Sequence, residues 1–95
     1  MAREGKYEVI FILDPEAGDV NAVKAEAEQT IEKRSGKISE KEEWGRRKLF
    51  HPPKHKTDGI FHYVKMTAPT SSIAQMVADF NVNTGIMKSM VARIY

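Results

Sequence analysis

Lys6-Tyr7-Glu8-Val9-Ile10-Phe11-Ile12-Leu13, closed by Asp14-Pro15, is the stretch from which the fold is read. Tyr7, Val9, Phe11 and Leu13 alternate with Glu8, Ile10 and Ile12, the period-two pattern of a strand, and Asp14-Pro15 stops it. The odd positions make the better core face, which puts Ile10 and Ile12 on the other side. A strand with one apolar face needs a covering layer, and the next segment supplies it. From about Asp19 to Arg34, Val20, Val23, Ala27 and Ile31 recur at helical spacing. Lys33 and Arg34 suit the C-terminal end of the helix dipole, and Gly36 offers a left-handed stop.

Lys37 to Phe50 reads as a long edge strand, heavily charged and bulged near Gly45, which Pro52-Pro53 ends. A polar connection to Asp58-Gly59 then returns the chain as a hairpin into a third strand, Ile60 to Met66. Both faces of that strand are partly apolar. We place Ile60, His62, Val64 and Met66 inward, because the other set ends in Lys65, and this leaves Phe61 and Tyr63 on the outer sheet face. Thr70, Ser71 or Ser72 can cap a second helix with Ile73, Met76, Val77 and Phe80 at i, i+3, i+4 and i+7. Ile86 to Ile94 closes the chain as a fourth strand, with Ile86, Met90, Ala92 and Ile94 in one phase. The order βαββαβ predicts an α+β, ferredoxin-like sandwich: a four-stranded antiparallel sheet with two helices on one face. Apolar residues on the other face, Ile10, Ile12, Phe61 and Tyr63, are expected to be exposed unless a partner docks.

The 95 residues leave too little chain for a second core, so one domain is expected over 1–95. Cysteine is absent, which excludes disulfides, thiolate nucleophiles and Cys-based metal sites. Val9 to Leu13, the longest apolar run, is far short of the roughly 20 residues that cross a bilayer, and Met1 to Lys6 has no secretory pattern. We expect a soluble, cytoplasmic protein with no membrane contact. Formal net charge is only +2, but it is unevenly spread: residues 1–45 balance at −4, residues 46–57 at +5 and residues 58–95 at +1.

That basic block holds Arg46-Arg47-Lys48, then Lys54, His55 and Lys56, with Trp44 and Phe50 interleaved, the mixture that meets phosphates and bases. No acid lies between Glu43 and Asp58, so local ion pairing is not expected to neutralise it. Lys6, Lys88 and Arg93 extend the patch if strands one and four lie nearby. Base stacking in the manner of RNA-recognition modules is not supported, because Phe61 and Tyr63 stand one residue out of phase with the stacking positions of that motif. A protein partner on that face, or a pair buried in the fold, are the two readings of these aromatics. Pro52-Pro53 breaks any helical His51/His55 metal pair, so no metal site is expected. His62 reads as a packed, hydrogen-bonded core histidine. The chain lacks the G-x-S-x-G, Walker, G-x-G-x-x-G and H-E-x-x-H signatures. Small ferredoxin-like acyl-phosphate hydrolases need a backbone phosphate cradle after the first strand, where this chain has Asp14-Pro15-Glu16. Neither an enzyme, nor a cofactor, nor a small-molecule substrate is expected.

Tyr7-Glu8-Val9 running on to Leu13-Asp14-Pro15, then Gly36, then Glu42-Glu43-Trp44-Gly45-Arg46-Arg47-Lys48-Leu49, then Pro52 and the Lys-rich turn to Gly59, resembles the bacterial small-subunit ribosomal protein S6 family. The resemblance runs from about Lys6 to Arg93. It implies a non-catalytic structural protein that binds small-subunit ribosomal RNA as a heterodimer with ribosomal protein S18 during subunit assembly. Arg46, Arg47 and Lys48 fall on the family's basic run and Lys88 on its basic position early in strand four; Phe61 and Tyr63 fall on strand-three positions that serve the protein partner. The chain departs at Phe50-His51-Pro52-Pro53, where the family has Ala-Tyr-Pro-Ile, and at Thr84-Gly85. It ends at Tyr95, so contacts made by the longer tails of many relatives are expected to be missing. The expected RNA-binding set is Lys6, Trp44, Arg46, Arg47, Lys48, Lys54, Lys56, Lys88 and Arg93. The rival reading is a protein-interaction or regulatory module that uses the open sheet face without RNA.

Overall fold

The computed structural model describes residues 3–49 and 57–94. Its elements are β1 (Glu4–Leu13), α1 (Val20–Lys33), β2 (Lys37–Lys48), β3 (Asp58–Pro69), α2 (Ile73–Val82) and β4 (Ile86–Ile94), with a single 3-10 turn, Thr70–Ser72, leading into α2. The strands form one antiparallel sheet in the order β2-β3-β1-β4. Both helices pack on one side of it, the ferredoxin-like arrangement. The connection from residue 50 to residue 56 lies outside the described residues.

β1 is the strand on which the rest is built, because it is hydrogen-bonded on both sides. Its Tyr7, Val9, Phe11 and Leu13 are buried against Val23, Ala27 and Ile31 of α1 and Met76 and Phe80 of α2. Phe11 meets Phe80 edge-to-face at 4.8 Å between ring centroids, a favoured aromatic geometry. From β3, Val64 and Met66 face the same core and His62 is buried beside them.

α1 begins where Asp19, in extended conformation, accepts hydrogen bonds from the amides of Asn21 and Ala22 at 3.0 and 3.3 Å. At its other end Gly36 donates to the Ile31 carbonyl at 2.8 Å and Ser35 to that of Glu32, a Schellman closure. The left-handed residue there is Ser35, at φ 69°, and not Gly36 as the sequence suggests. Gly36 serves a different need: a Cβ at that position would stand 2.5 Å from Ile31 Cγ2 and 2.9 Å from the Ile31 carbonyl oxygen. Arg34 then clamps Asp79 of α2 through Nε and Nη2 at 2.8 and 3.3 Å, tying the two helices together. For α2 the expected side-chain cap is absent; Ser72 Oγ instead donates to the Pro69 carbonyl at 2.9 Å, and the 3-10 turn leads the chain into the helix.

Two register changes alter the sequence reading. β2 is bulged near Gly45, at φ 85°, as its sequence indicates, and it carries a second irregularity between Ile38 and Glu40. β1 and β4 slip between Ile12 and Leu13, so that Leu13 pairs with Ile86 while Ile12 pairs with Lys88. Ile86 is therefore not in phase with Met90, Ala92 and Ile94. It points to the core, and the other three share the open face with Lys88.

Gly36→Ala forces its new methyl against the Ile31 backbone, which cannot yield without opening the helix C-terminus. Chemical denaturation is expected to show a loss of about 1–3 kcal/mol, the usual cost of overpacking.

Candidate RNA and partner interfaces

Paired residues on neighbouring antiparallel strands share a face, so the register lays out the open side row by row. Nearest the β2–β3 hairpin, Arg47 lies across from Gly59. The next row is Gly45, Phe61, Ile12 and Lys88, followed by Glu42, Tyr63, Ile10 and Met90. Beyond these come Glu40, Lys65, Glu8 and Ala92, and finally Lys37, Thr67, Lys6 and Ile94. The face thus has a cationic end at Arg47 and Lys88, an apolar centre, and mixed charge towards Lys6.

The basic run does not form one patch. Strand alternation sends Arg46 and Lys48 to the helix side and Arg47 to the open side. Arg46 is ion-paired, Nε to Asp58 Oδ2 at 2.8 Å, because the hairpin brings Asp58 back beside it. The expectation that no local acid could neutralise this stretch therefore fails at Arg46. Arg47 donates from Nε to the Trp44 carbonyl at 3.3 Å and, like Lys48, is exposed. Lys88 is exposed on the open face; Lys6 shares that face but at its far end. Arg93 pairs with Tyr7 on the helix side of β4, away from the open face, and has interactions of its own. Lys54 and Lys56, together with Phe50, His51 and His55, lie outside the described residues.

The four residues expected as a bare partner surface are partly covered by the chain itself. The Gly45 bulge lays Trp44 over Tyr63, rings stacked 13° from parallel with centroids 5.2 Å apart. Tyr63 is consequently only 8% exposed, while Trp44 is 37% exposed and presents its outer face. Trp44 thus belongs to the sheet face rather than to the basic cluster. Ile12, at 9%, lies at the end of the face where Gly59, without a Cβ, leaves room for its Cγ2, with Met87 and Leu49 beside it. Ile10 and Phe61 remain half-buried. The sequence reading missed Met90, 39% exposed, with Ala92 and Ile94 beyond it; the slip at Ile12/Leu13 that exposes them has no glycine or proline within β4 to announce it.

Burial raises the pKa of Tyr63, and Glu8, Glu40 and Glu42 around it push further in the same direction. On the helix side, charges fasten α1 to β2. Lys24 Nζ sits 2.7 Å from Glu43 Oε1, which holds the Glu43 carboxyl below its ordinary value. Glu28 bridges Lys41 at 3.0 Å and His62 Nε2 at 3.2 Å. His62 is 3% exposed, and its Nδ1 has no partner among the described residues. Burial lowers its pKa, outweighing the opposing pull of Glu28. Among the described residues no group of side chains is arranged to hold a metal ion, and no helix is long and apolar enough to cross a membrane.

The sequence profile of the family described as Ribosomal protein S6 matches residues 6–93. The small ribosomal subunit protein bS6 of Bifidobacterium longum is 35% identical over 91 residues, covering 93% of this chain and 93% of that protein. The bS6 protein of Clostridium novyi is 34% identical over 88 residues, covering 90% and 92%. Among solved structures, the 30S ribosomal protein S6 of Thermotoga maritima superposes with a TM-score of 0.88 at 22% identity, covering 97% of this chain and 89% of that one. The C-terminal domain of MgtC from Mycobacterium tuberculosis reaches 0.65 at 15% identity, covering 95% and 87%. At these identities the two structures speak for the fold alone.

The lowered pKa of His62 fixes the sign of a pH effect. Its folded pKa lies below the ordinary 6.5, so as pH falls through that range the unfolded chain takes up the proton first and folding is penalised. Thermal unfolding is expected at a lower temperature at about pH 5.5 than at about pH 7.5, and His62→Gln is expected to remove most of that difference.

Proposed function

The chain belongs to the ribosomal protein S6 family, and from that premise we propose that it is a structural, non-catalytic component of the small ribosomal subunit in the cytoplasm, binding ribosomal RNA beside ribosomal protein S18. The observation that carries this reading is the division of the open face. Its hairpin end presents Arg47 and Lys88, and its centre and β4 side present Ile10, Phe61, Met90 and the outer face of Trp44. The cations neutralise phosphates and release counterions, a mechanism that needs reach and charge rather than a built pocket. The apolar centre, only half covered from within, is completed by a second protein. Each partner then supplies part of the other's site, so RNA and protein binding are positively coupled.

Arg46 contributes less to RNA binding than its sequence position implies, because freeing its guanidinium means giving up Asp58. Arg47, Lys48 and Lys88 carry more. An RNA-independent interaction module is the competing function, and salt titration separates the two. If about four phosphates are contacted, the affinity of the chain with its companion for small-subunit RNA falls with a log–log salt slope near −3 to −4. Arg47→Ala with Lys88→Ala is expected to flatten the slope by about one to two and weaken binding to every RNA tested, and Arg46→Ala to change it less. Affinity independent of salt, or unaffected by the double substitution in a folded protein, contradicts the RNA-binding reading.

A further inference from the structure

Trp44 has no counterpart on β3: Glu43 pairs with His62 and Gly45 with Phe61, and the bulge between them lays the indole on Tyr63. One face of the ring is taken by that stack. The other is exposed, and its plane is fixed before anything binds. The charge around it is negative. Glu42 stands directly across from Tyr63 in a row that holds no cation, and the next row is Glu40, Lys65, Glu8 and Ala92. Three carboxylates and one ammonium thus surround the stack. Lys65 lies between Glu40 and Glu8, while Glu42 makes no ion pair among the described residues. Burial first, and then these same three carboxylates, raises the Tyr63 pKa, so their field is felt within the stack. A flat aromatic surface beside an unmatched carboxylate suits a guanidinium. The ring attracts the cation and stacks on its plane, and the carboxylate accepts its N–H groups.

We propose that the outer face of Trp44, with Glu42 beside it, is a binding site for an arginine side chain of the companion polypeptide. The inference rests on the reading above that a second protein covers the open face, and adds the chemistry of its anchor. Charge complementarity selects the occupant. An RNA base also stacks on an indole, but its phosphates would enter the field of three carboxylates against one lysine. A second copy of this chain meets a different obstacle. Among the arginines within the strands, Arg46 is held by Asp58, Arg93 pairs with Tyr7 on the helix side, and only Arg47 stands on the open face. Two copies laid face to face about an axis along the strands set each row on itself, and the Tyr63 row holds no cation. An axis across the strands brings Arg47 to the Tyr63 row only by turning about the Phe61 row, which sets Lys88 on Lys88. Turning about the Lys65 row, to bring up Lys37 and Lys6 instead, sets Glu40 on Glu40 and Glu8 on Glu8. A basic segment of another protein meets neither repulsion.

Titration calorimetry of the full chain with purified S18 of the same organism tests this. Trp44→Leu keeps apolar bulk but removes the ring, and is expected to weaken the complex about tenfold. Glu42→Gln, at an exposed position, is expected to weaken it about fivefold. In the Trp44→Leu background the Glu42→Gln effect is expected to shrink, because both groups hold one guanidinium. Affinity unchanged by both substitutions overturns the arginine site and leaves open-face docking standing. Weakening by Trp44→Leu with no effect of Glu42→Gln, in proteins that unfold at the parent temperature, overturns it in favour of an apolar anchor. Trp44 is the only tryptophan of the chain, so its emission reports on the rival occupants. Saturable quenching by a mixed-sequence single-stranded RNA without S18 overturns the proposal in favour of a base. A dimer of this chain alone that Glu42→Gln dissociates overturns it in favour of self-association. Failure of any complex to form, in folded protein, removes both the site and the reading beneath it.

Discussion

The register of β1 is the constraint on which the rest of the molecule depends. Hydrogen-bonded on both sides, it has no freedom to slide, and its period of two commits Tyr7, Val9, Phe11 and Leu13 to the helices and Glu8, Ile10 and Ile12 to the open side. A one-residue slip would exchange a buried aromatic core for a mixed polar face. The helices answer this strand: Val23, Ala27 and Ile31 from α1 and Met76 and Phe80 from α2 converge on it, and Arg34 with Asp79 keeps them together. Interruptions of that period, rather than the period itself, shape the working surface. The slip beyond Ile12 turns Met90 outward, and the bulge at Gly45 lays Trp44 on Tyr63.

Charge is distributed to the same plan. On the α1/β2 side most of it is spent internally, in Lys24 with Glu43, Glu28 with Lys41 and His62, and Arg46 with Asp58. Apart from the buried His62 contact, such surface pairs contribute little stability singly, and their effect here is to occupy groups that would otherwise recruit ligands. The arrangement on the open face is therefore more telling than net charge: among the described residues Arg47 and Lys88 stand near the hairpin end with no acid in their rows, while farther along Lys65 lies between Glu40 and Glu8. A net charge of +2 conceals this polarity.

Much of the architecture could be read from side-chain periodicity alone. The odd positions of β1, the helical spacing of Val23, Ala27 and Ile31, Asp19 at a helix start and Gly45 at a bulge are local signals, and the fold uses each of them. What escaped depends on contacts between residues distant in sequence. Asp58 neutralises Arg46 only because the hairpin returns it there. Ser35 takes the left-handed turn because Gly36 is needed for its missing Cβ against Ile31. The phase of β4 is set by a slip against β1, so a strand read by itself puts Ile86 and Met90 on one face when the sheet puts them on two. The candidate site was legible as a set of residue types and less so as a surface. Arg47 and Lys88 were in the sequence-derived set together with Arg46 and Arg93, and only the register separates the pair on the open face from the pair on the helix side.

The central claim is that one sheet face carries two adjoining docking sites, cationic at Arg47 and Lys88 and apolar at Ile10 and Met90. Site-specific photo-crosslinking in assembled small subunits tests it most directly, with the reactive group placed at position 47 in one preparation and at position 90 in another. The account predicts RNA captured from position 47 and a polypeptide from position 90. RNA captured equally from both, or polypeptide from both, would contradict it.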